Sequence, residues 1–305
     1  MRPWSANDVP ELTGKYAVIT GSTSGIGFEA AKVLAQRGAQ VWLACRDLVK
    51  ARLAAERIEA QGSAQPVRVV QLDLASLQSV HDCAEELRRQ LPSLDMLINN
   101  AGVMVPPYGL TQEGFELQLG TNHLGHFALT GHLIGLLVTT RNARVVNVSS
   151  GAHHFGTMNW DDLQSQRYYH AGRAYAQSKL ANLLFTYELQ RRLQARSFTT
   201  LALAAHPGWA RTQLQRHVKS NSIVRWFFRA LEKLFSQDAR MGSLPTLRAA
   251  AEPRVNPGDF YGPSGFLQGK GAPVRVNSNS ASRNRAWQQQ LWKVSEELTG
   301  VSYLD

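Results

Sequence analysis

Cysteine is scarce: the 305-residue chain has two, Cys45 and Cys83, with no metal-type spacing around either. That excludes a disulfide framework and points to a reducing, cytoplasmic setting. No apolar run reaches the ~18 residues a membrane span needs. The first residues, Met1 to Pro10, have no apolar h-region, so no secretory signal is expected. Charged residues are only 18% and hydrophobic ones 44%, a balance that excludes disorder and supplies a sizeable core. The formal net charge is +10, yet Lys and Arg are scattered, with no basic run and no nucleic-acid motif. The expectation is no nucleic-acid partner and no bound metal. The positive excess reads instead as attraction for a phosphorylated cofactor or an anionic membrane surface, a peripheral membrane contact. With no internal repeat and no linker, residues 1–305 read as a single domain.

What is present is a regular alternation of strands and helices. The β-branched run Lys15–Thr20 leads into Gly21-Ser22-Thr23-Ser24-Gly25-Ile26-Gly27, and a helix follows to Gly38. Strand, glycine turn and helix form the context of a dinucleotide site: glycines allow close backbone approach, and the helix N-terminus faces the pyrophosphate. The second strand, Gln40–Cys45, ends at Arg46-Asp47. An NAD-selective site places an acid here for the ribose hydroxyls, whereas a guanidinium suits the 2′-phosphate of NADP. Arg46 thus favours NADP(H) over NAD, and Asp47 either takes the acid's role or caps the next helix, Leu48–Gln61. A third strand, Val67–Leu72, ends at Asp73-Leu74, where the carboxylate either meets the adenine or opens the helix Leu77–Gln90. A fourth, Leu94–Ile98, runs into Asn99-Asn100-Ala101-Gly102, small residues suited to lie against a cofactor. The fold class is therefore α/β, a doubly wound parallel Rossmann-type sheet flanked by helices, with ligands at the carboxyl ends of its strands.

A long helix is expected from about Glu113 to Val138. Asn122 lies within it, a poor helix former that calls for a reason, and His123 and His126 read as packing residues. A fifth strand, Ala143–Ser150, delivers hydroxyls to its end. Next, Tyr175 and Lys179 stand four apart on a helix whose apolar face is Leu180, Leu183, Leu184 and Tyr187. A cation beside a phenol favours the phenolate, so Lys179 is expected to lower the pKa of Tyr175 towards that of a working acid/base. After a sixth strand, Phe198–Ala205, comes the turn His206-Pro207-Gly208, with Thr212 just beyond it.

These elements, in this order over about residues 10 to 215, resemble the short-chain dehydrogenase/reductase family. Asn122–Phe127, Ala171–Asn182 and Ala44–Asp47 resemble its retinol dehydrogenase-like branch. The resemblance implies a catalytic tetrad of Asn122, Ser150, Tyr175 and Lys179, with Ser150 rather than Ser149 as the serine. It also implies that Lys179 holds the nicotinamide ribose, that Asn122 positions a water, that Pro207, Gly208 and Thr212 flank the nicotinamide, and that the chain forms a homo-oligomer. By their chemistry, Ser150 and Tyr175 donate to a substrate carbonyl, and Tyr175 supplies the proton as hydride arrives.

The leading expectation is an NADP(H)-dependent reductase or dehydrogenase of a small, lipophilic carbonyl or alcohol. The competing one is an NADP-binding redox sensor without turnover. The segment between Ser150 and Tyr175 holds Phe155, Trp160, Tyr168 and Tyr169, which either wall an apolar pocket or pack on the surface. Residues 213–242 include a basic amphipathic stretch, 223–235, read as a substrate lid, a membrane contact or a packed helix. A further helix over 243–251, a short seventh strand near Gly258–Pro263 and a closing helix, Ser282–Thr299, complete the expected chain.

Overall fold

The computed structural model describes residues 2–208 and 238–305. Its strands are β1 (Tyr16–Thr20), β2 (Gln40–Cys45), β3 (Arg68–Gln71), β4 (Met96–Asn99), β5 (Arg144–Val148), β6 (Leu201–Ala205), β7 (Phe260–Pro263) and β8 (Pro273–Arg275). They form one sheet in the order β3-β2-β1-β4-β5-β6-β7-β8. From β3 to β7 every pairing is parallel. The order reverses between β1 and β4, which opens a crevice at their carboxyl ends.

The helices are α1 (Gly25–Gln36), α2 (Leu48–Glu59), α3 (Leu77–Gln90), α4 (Leu117–Leu119), α5 (Gly125–Thr139), α6 (Ala171–Ala195), α7 (Ala239–Ala251) and α8 (Arg285–Thr299). The two-residue period of the strands sorts the core. Ala17, Ile19, Leu43 and Ile98 face one way, onto Leu34 of α1 and Leu247 of α7. Val18, Ala44, Leu97 and Val145 face the other, onto Leu87 of α3, Phe127 of α5, Phe185 of α6 and Trp292 of α8. Fully burying one such side chain is worth about 1.5–3 kcal/mol, so both layers are held mainly by this packing. Asp47 caps α2 by accepting from Lys50 N (3.0 Å), Ser76 caps α3 and Asn284 caps α8. Asp47 thus does the capping work, one of its two expected roles.

One expectation about the fold needs correction. The helix expected from Glu113 is broken: α4 passes through a π-helical turn, Gly120–Leu124, before α5 begins. The parallel sheet, as expected, carries one further edge strand: β8 runs antiparallel to β7, with Gly262 opposite Val274. A three-residue strand bounded by Pro273 is too short to show a period-two pattern in sequence. Thr212 and most of 213–242, with the 223–235 stretch, lie outside the described residues; Asp238 onward cap and begin α7.

Candidate active site

The glycine turn closes β1 against α1. Gly21 and Gly25 have φ of 66° and 62°, the left-handed region that side chains avoid. A Cβ on Gly21 would stand 2.8 Å from Ala101 Cα, and one on Gly27 2.5 Å from Asn100 Nδ2. The turn therefore lies directly on the Asn100-Ala101 strip. Ser22 is tied inward, its hydroxyl donating to Ile19 O (3.1 Å), and Ser24 makes no side-chain cap to α1. The first N–H groups of α1 are thus left for an anion. Thr23 and Ile26 complete the turn, Ile26 buried in it.

Asn122 sits in the middle of the π-turn, where Gly125 N–H reaches back to Gly120 O. Such a turn places one extra residue in the helix and frees local backbone. The Asn122 side chain grips Val103 on both sides, Oδ1 accepting from Val103 N (2.7 Å) and Nδ2 donating to Val103 O (3.0 Å). Nδ2 also donates to Ser178 Oγ (2.9 Å), which donates to the carbonyl of Tyr175 (2.8 Å). A Cβ on Gly102 would lie 3.0 Å from Asn122 Oδ1 and 3.4 Å from Lys179 Nζ, so Gly102, Asn122 and Lys179 meet at one point.

Ser149 and Ser150 point to different tasks. Ser149 is buried and its hydroxyl donates to Lys179 O (2.8 Å). Ser150 Oγ accepts from Ala152 N (3.2 Å) and lies next to the Tyr175 hydroxyl, whose proton affinity it lowers. Lys179 is buried; its Nζ donates to Val148 O (3.1 Å) and stands 5.7 Å from the centre of the Tyr175 ring. Burial pushes the Lys179 ammonium down to about 8. Burial also raises the Tyr175 phenol, and the Ser150 hydrogen bond is the influence that opposes this. The Lys179 ammonium lies over the Tyr175 ring, and the net effect of the surroundings on the phenol is upward, with burial the larger influence.

The other candidates are placed as follows. Arg46 is exposed at the end of β2, and among the described residues no carboxylate pairs with it. Asp73 folds onto its own turn, accepting from Ala75 N (3.0 Å), and buried Leu74 touches α5 where a Cβ on Gly125 would meet Leu74 O at 2.5 Å. Pro207 and Gly208 follow β6; Gly208 has φ 67°, and its N–H points at His206 Nδ1 (3.3 Å). His206 Nε2 bonds Gln268 Oε1 (2.8 Å) in the β7–β8 hairpin, which ties that hairpin to the turn.

On the substrate side, the four aromatics divide. Trp160 packs on Trp287, while Phe155 and Tyr168 are exposed. Tyr169 is a brace: its hydroxyl donates to Pro106 O (2.8 Å) and accepts from Gln118 Nε2 (3.0 Å), and its ring meets Tyr108 edge-on. Gln118 Oε1 accepts from Val105 N (2.9 Å), holding Val105 at φ 53°. A β-branched residue in that region is strained, and it is kept there by the surrounding bonds. Ser178 and Gln118 were not singled out in the sequence, and Tyr169 was read there only as a pocket-wall or surface aromatic. Polar residues on an apolar-patterned helix are the signal that would have marked Ser178 and Gln118.

The donor set fits a nicotinamide dinucleotide: uncapped N–H groups at α1, small backbone at Gly102, and a buried ammonium with two N–H groups left after Val148. The model of short chain dehydrogenases matches residues 15–222. The chain is 43% identical to retinol dehydrogenase 12 of Homo sapiens over 295 residues, covering 96% of this chain and 89% of that one. It is 47% identical to retinol dehydrogenase 13 of Homo sapiens over 294 residues, covering 95% and 86%. Among solved structures, an uncharacterized protein of Mycobacterium paratuberculosis superposes with a TM-score of 0.81 at 40% identity, covering 99% of both chains. A short chain dehydrogenase of Shigella flexneri complexed with NADP shares the fold, with a TM-score of 0.64 at 23% identity over 82% of this chain and 97% of that one.

Proposed function

The chain belongs to the short-chain dehydrogenase/reductase family, in its retinol dehydrogenase-like branch, and from that premise we propose that it transfers hydride between NADP(H) and the carbonyl or alcohol of a small lipophilic molecule. The observation that carries this reading is that Lys179 stands beside Gly102 and Asn122 and over the Tyr175 ring, with Ser150, at the end of β5, next to Tyr175.

The nicotinamide, when bound, supplies or accepts the hydride. In the reductive direction Ser150 donates a hydrogen bond to the carbonyl oxygen, and Tyr175 gives that oxygen its proton. Lys179, with N–H groups to spare, holds the ribose and stabilises the phenolate left on Tyr175. Asn122 fixes the floor through Val103 and Ser178. Gly21 to Gly27, with Asn100 and Ala101, hold the pyrophosphate side; Asp73 and Leu74 border the adenine; Pro207, Gly208 and Thr212 flank the nicotinamide. Arg46, free of carboxylate partners among the described residues, favours the 2′-phosphate.

Two features support a lipophilic substrate. Relatives at about this identity are named retinol dehydrogenases. Exposed apolar side chains also gather on loops that leave the carboxyl ends of strands: Tyr108 after β4, Phe155 after β5, and Phe266 and Leu267 after β7. Consumption of NADPH against retinal, steroid ketones, quinones and short aldehydes, beside a Tyr175→Phe control, tests the reading. Turnover that vanishes in the control supports it. Tight NADPH binding with no turnover across the panel overturns it in favour of a sensor.

A further inference from the structure

His126 lies one turn beyond Asn122 and is 1% exposed. Its Nδ1 is 3.0 Å from the carbonyl oxygen of Asn122, an atom that only accepts, so Nδ1 carries a proton. Its Nε2 is 2.9 Å from Thr20 Oγ1. That hydroxyl already accepts from two backbone donors, Asn100 N and Ala101 N, each at 2.9 Å. With both lone pairs taken, Thr20 has only its own proton to offer, and Nε2 is the near acceptor; the alternative, Ile98 O, is at 3.5 Å. A protonated ring would aim a third donor at a saturated oxygen. The hydrogen bonds therefore specify one state, a neutral imidazole with the proton on Nδ1.

The chain of bonds runs from the end of β1 to the middle of the π-turn. At one end, Thr20 immediately precedes Gly21, and Asn100 Nδ2 donates to Thr20 O (2.8 Å). At the other, the Asn122 carbonyl belongs to the residue whose side chain grips Val103 and Ser178. We infer that His126 is a positioning residue that locks the Asn122 turn to the glycine turn, so that the cofactor cradle and the proton-transfer groups move as one unit. The inference rests on the reading of the site as a dehydrogenase centre. Burial, which holds His126 down to about 4, with the nearby Lys179 charge adding to the effect, keeps the ring neutral at any working pH.

The hydroxyl end separates this role from simple packing. Thr20→Val keeps the shape and removes the hydroxyl; Thr20→Ser restores it. Thr20→Val is expected to lower kcat at least tenfold with the carbonyl KM changed less than about threefold, and Thr20→Ser to recover most of kcat. His126→Asn, which keeps a donor near Nδ1, is expected to retain more kcat than His126→Leu. The Thr20→Val/His126→Leu double variant should lose no more than the worse single one, because one broken link already opens the chain. Additive losses, or a fall in melting temperature with kcat unchanged, would overturn the inference. If His126→Leu does not fold, His126→Asn and the imidazole tautomer decide, since Thr20→Val also strips the acceptor from Asn100 N and Ala101 N. Nitrogen-15 NMR of the imidazoles, assigned with His126→Asn, reads the tautomer without any turnover: a proton on Nε2 overturns the inference. If wild-type protein reduces nothing, the proposed function fails while the NMR result still stands for or against His126.

Discussion

Asn122 is joined to the helix that carries Tyr175 through a single hydroxyl, its Nδ2 lying 2.9 Å from Ser178 Oγ, which donates in turn to the Tyr175 carbonyl. Ser178 is fully buried, so neither bond is shared with solvent. Ser178→Ala leaves the Tyr175 carbonyl short of a donor and loosens one of the three contacts of the Asn122 side chain. The expected cost is about 1–2 kcal/mol of stability, read by denaturant unfolding, together with a fall in kcat larger than the change in KM. Unchanged kcat would mean that α6 holds Tyr175 without help from Asn122.

Tyr175→Phe removes the proton donor and keeps the ring. Turnover is expected to fall by roughly 10²–10⁴, the range for a positioned general acid. NADPH affinity, measured by fluorescence titration, should stay within a few-fold. Activity near wild type would move the acid role elsewhere.

Arg46→Asp places a carboxylate where a 2′-phosphate is proposed to sit. NADPH should bind at least tenfold more weakly and NADH more tightly, read as a reversed ratio of the two kcat/KM values. Equal NADPH affinity in variant and wild type removes Arg46 from the cofactor site.

The pH profile follows from Lys179, whose ammonium is held down to about 8 by burial. A depressed base keeps its charge below that value and loses it above. Reduction also needs the protonated phenol of Tyr175, which burial favours. For the reductive direction, kcat/KM should be level near neutrality and decline as the pH rises through about 8, with the apparent value belonging to the Tyr175–Lys179 pair. The oxidative direction, which needs the phenolate, should show the opposite slope. Lys179→Met should erase the inflection; its persistence would assign it to another group.

Tyr169→Phe cuts the bonds to Pro106 and Gln118 while keeping the ring against Tyr108. The loop with strained Val105 should then relax, raising KM for bulky carbonyls several-fold with little change for small ones. A uniform change across substrate sizes would show that the brace does not shape the pocket.

How much of this was legible in the sequence varies by element. Buried parallel strands such as Ile19 and its neighbours announce themselves as short β-branched runs, and the glycine turn is fixed by backbone conformations that few residues reach. Asn122 was conspicuous as a misfit, but the π-turn that explains it was not, since inserting one residue leaves no mark in an apolar pattern. Tyr175 and Lys179 were placed on one face by simple helical spacing. The electrostatics were not legible, because the balance between burial and a neighbouring charge depends on where the ammonium points. The Gln118–Tyr169–Pro106 brace joins residues far apart in sequence by single hydrogen bonds, which carry no periodic signal.

The π-turn over Gly120–Leu124 also sets a rule about chain length. A helix advances about 100° per residue, so deleting any one residue there would turn the flanking helical segments by that angle relative to each other. Either Phe127 and Leu133 would leave the core, or Asn122 would lose Val103, and neither is repaired by choosing a different side chain. A lost or gained residue along this stretch cannot be absorbed. Here the number of residues, as well as their identity, is what the catalytic geometry counts.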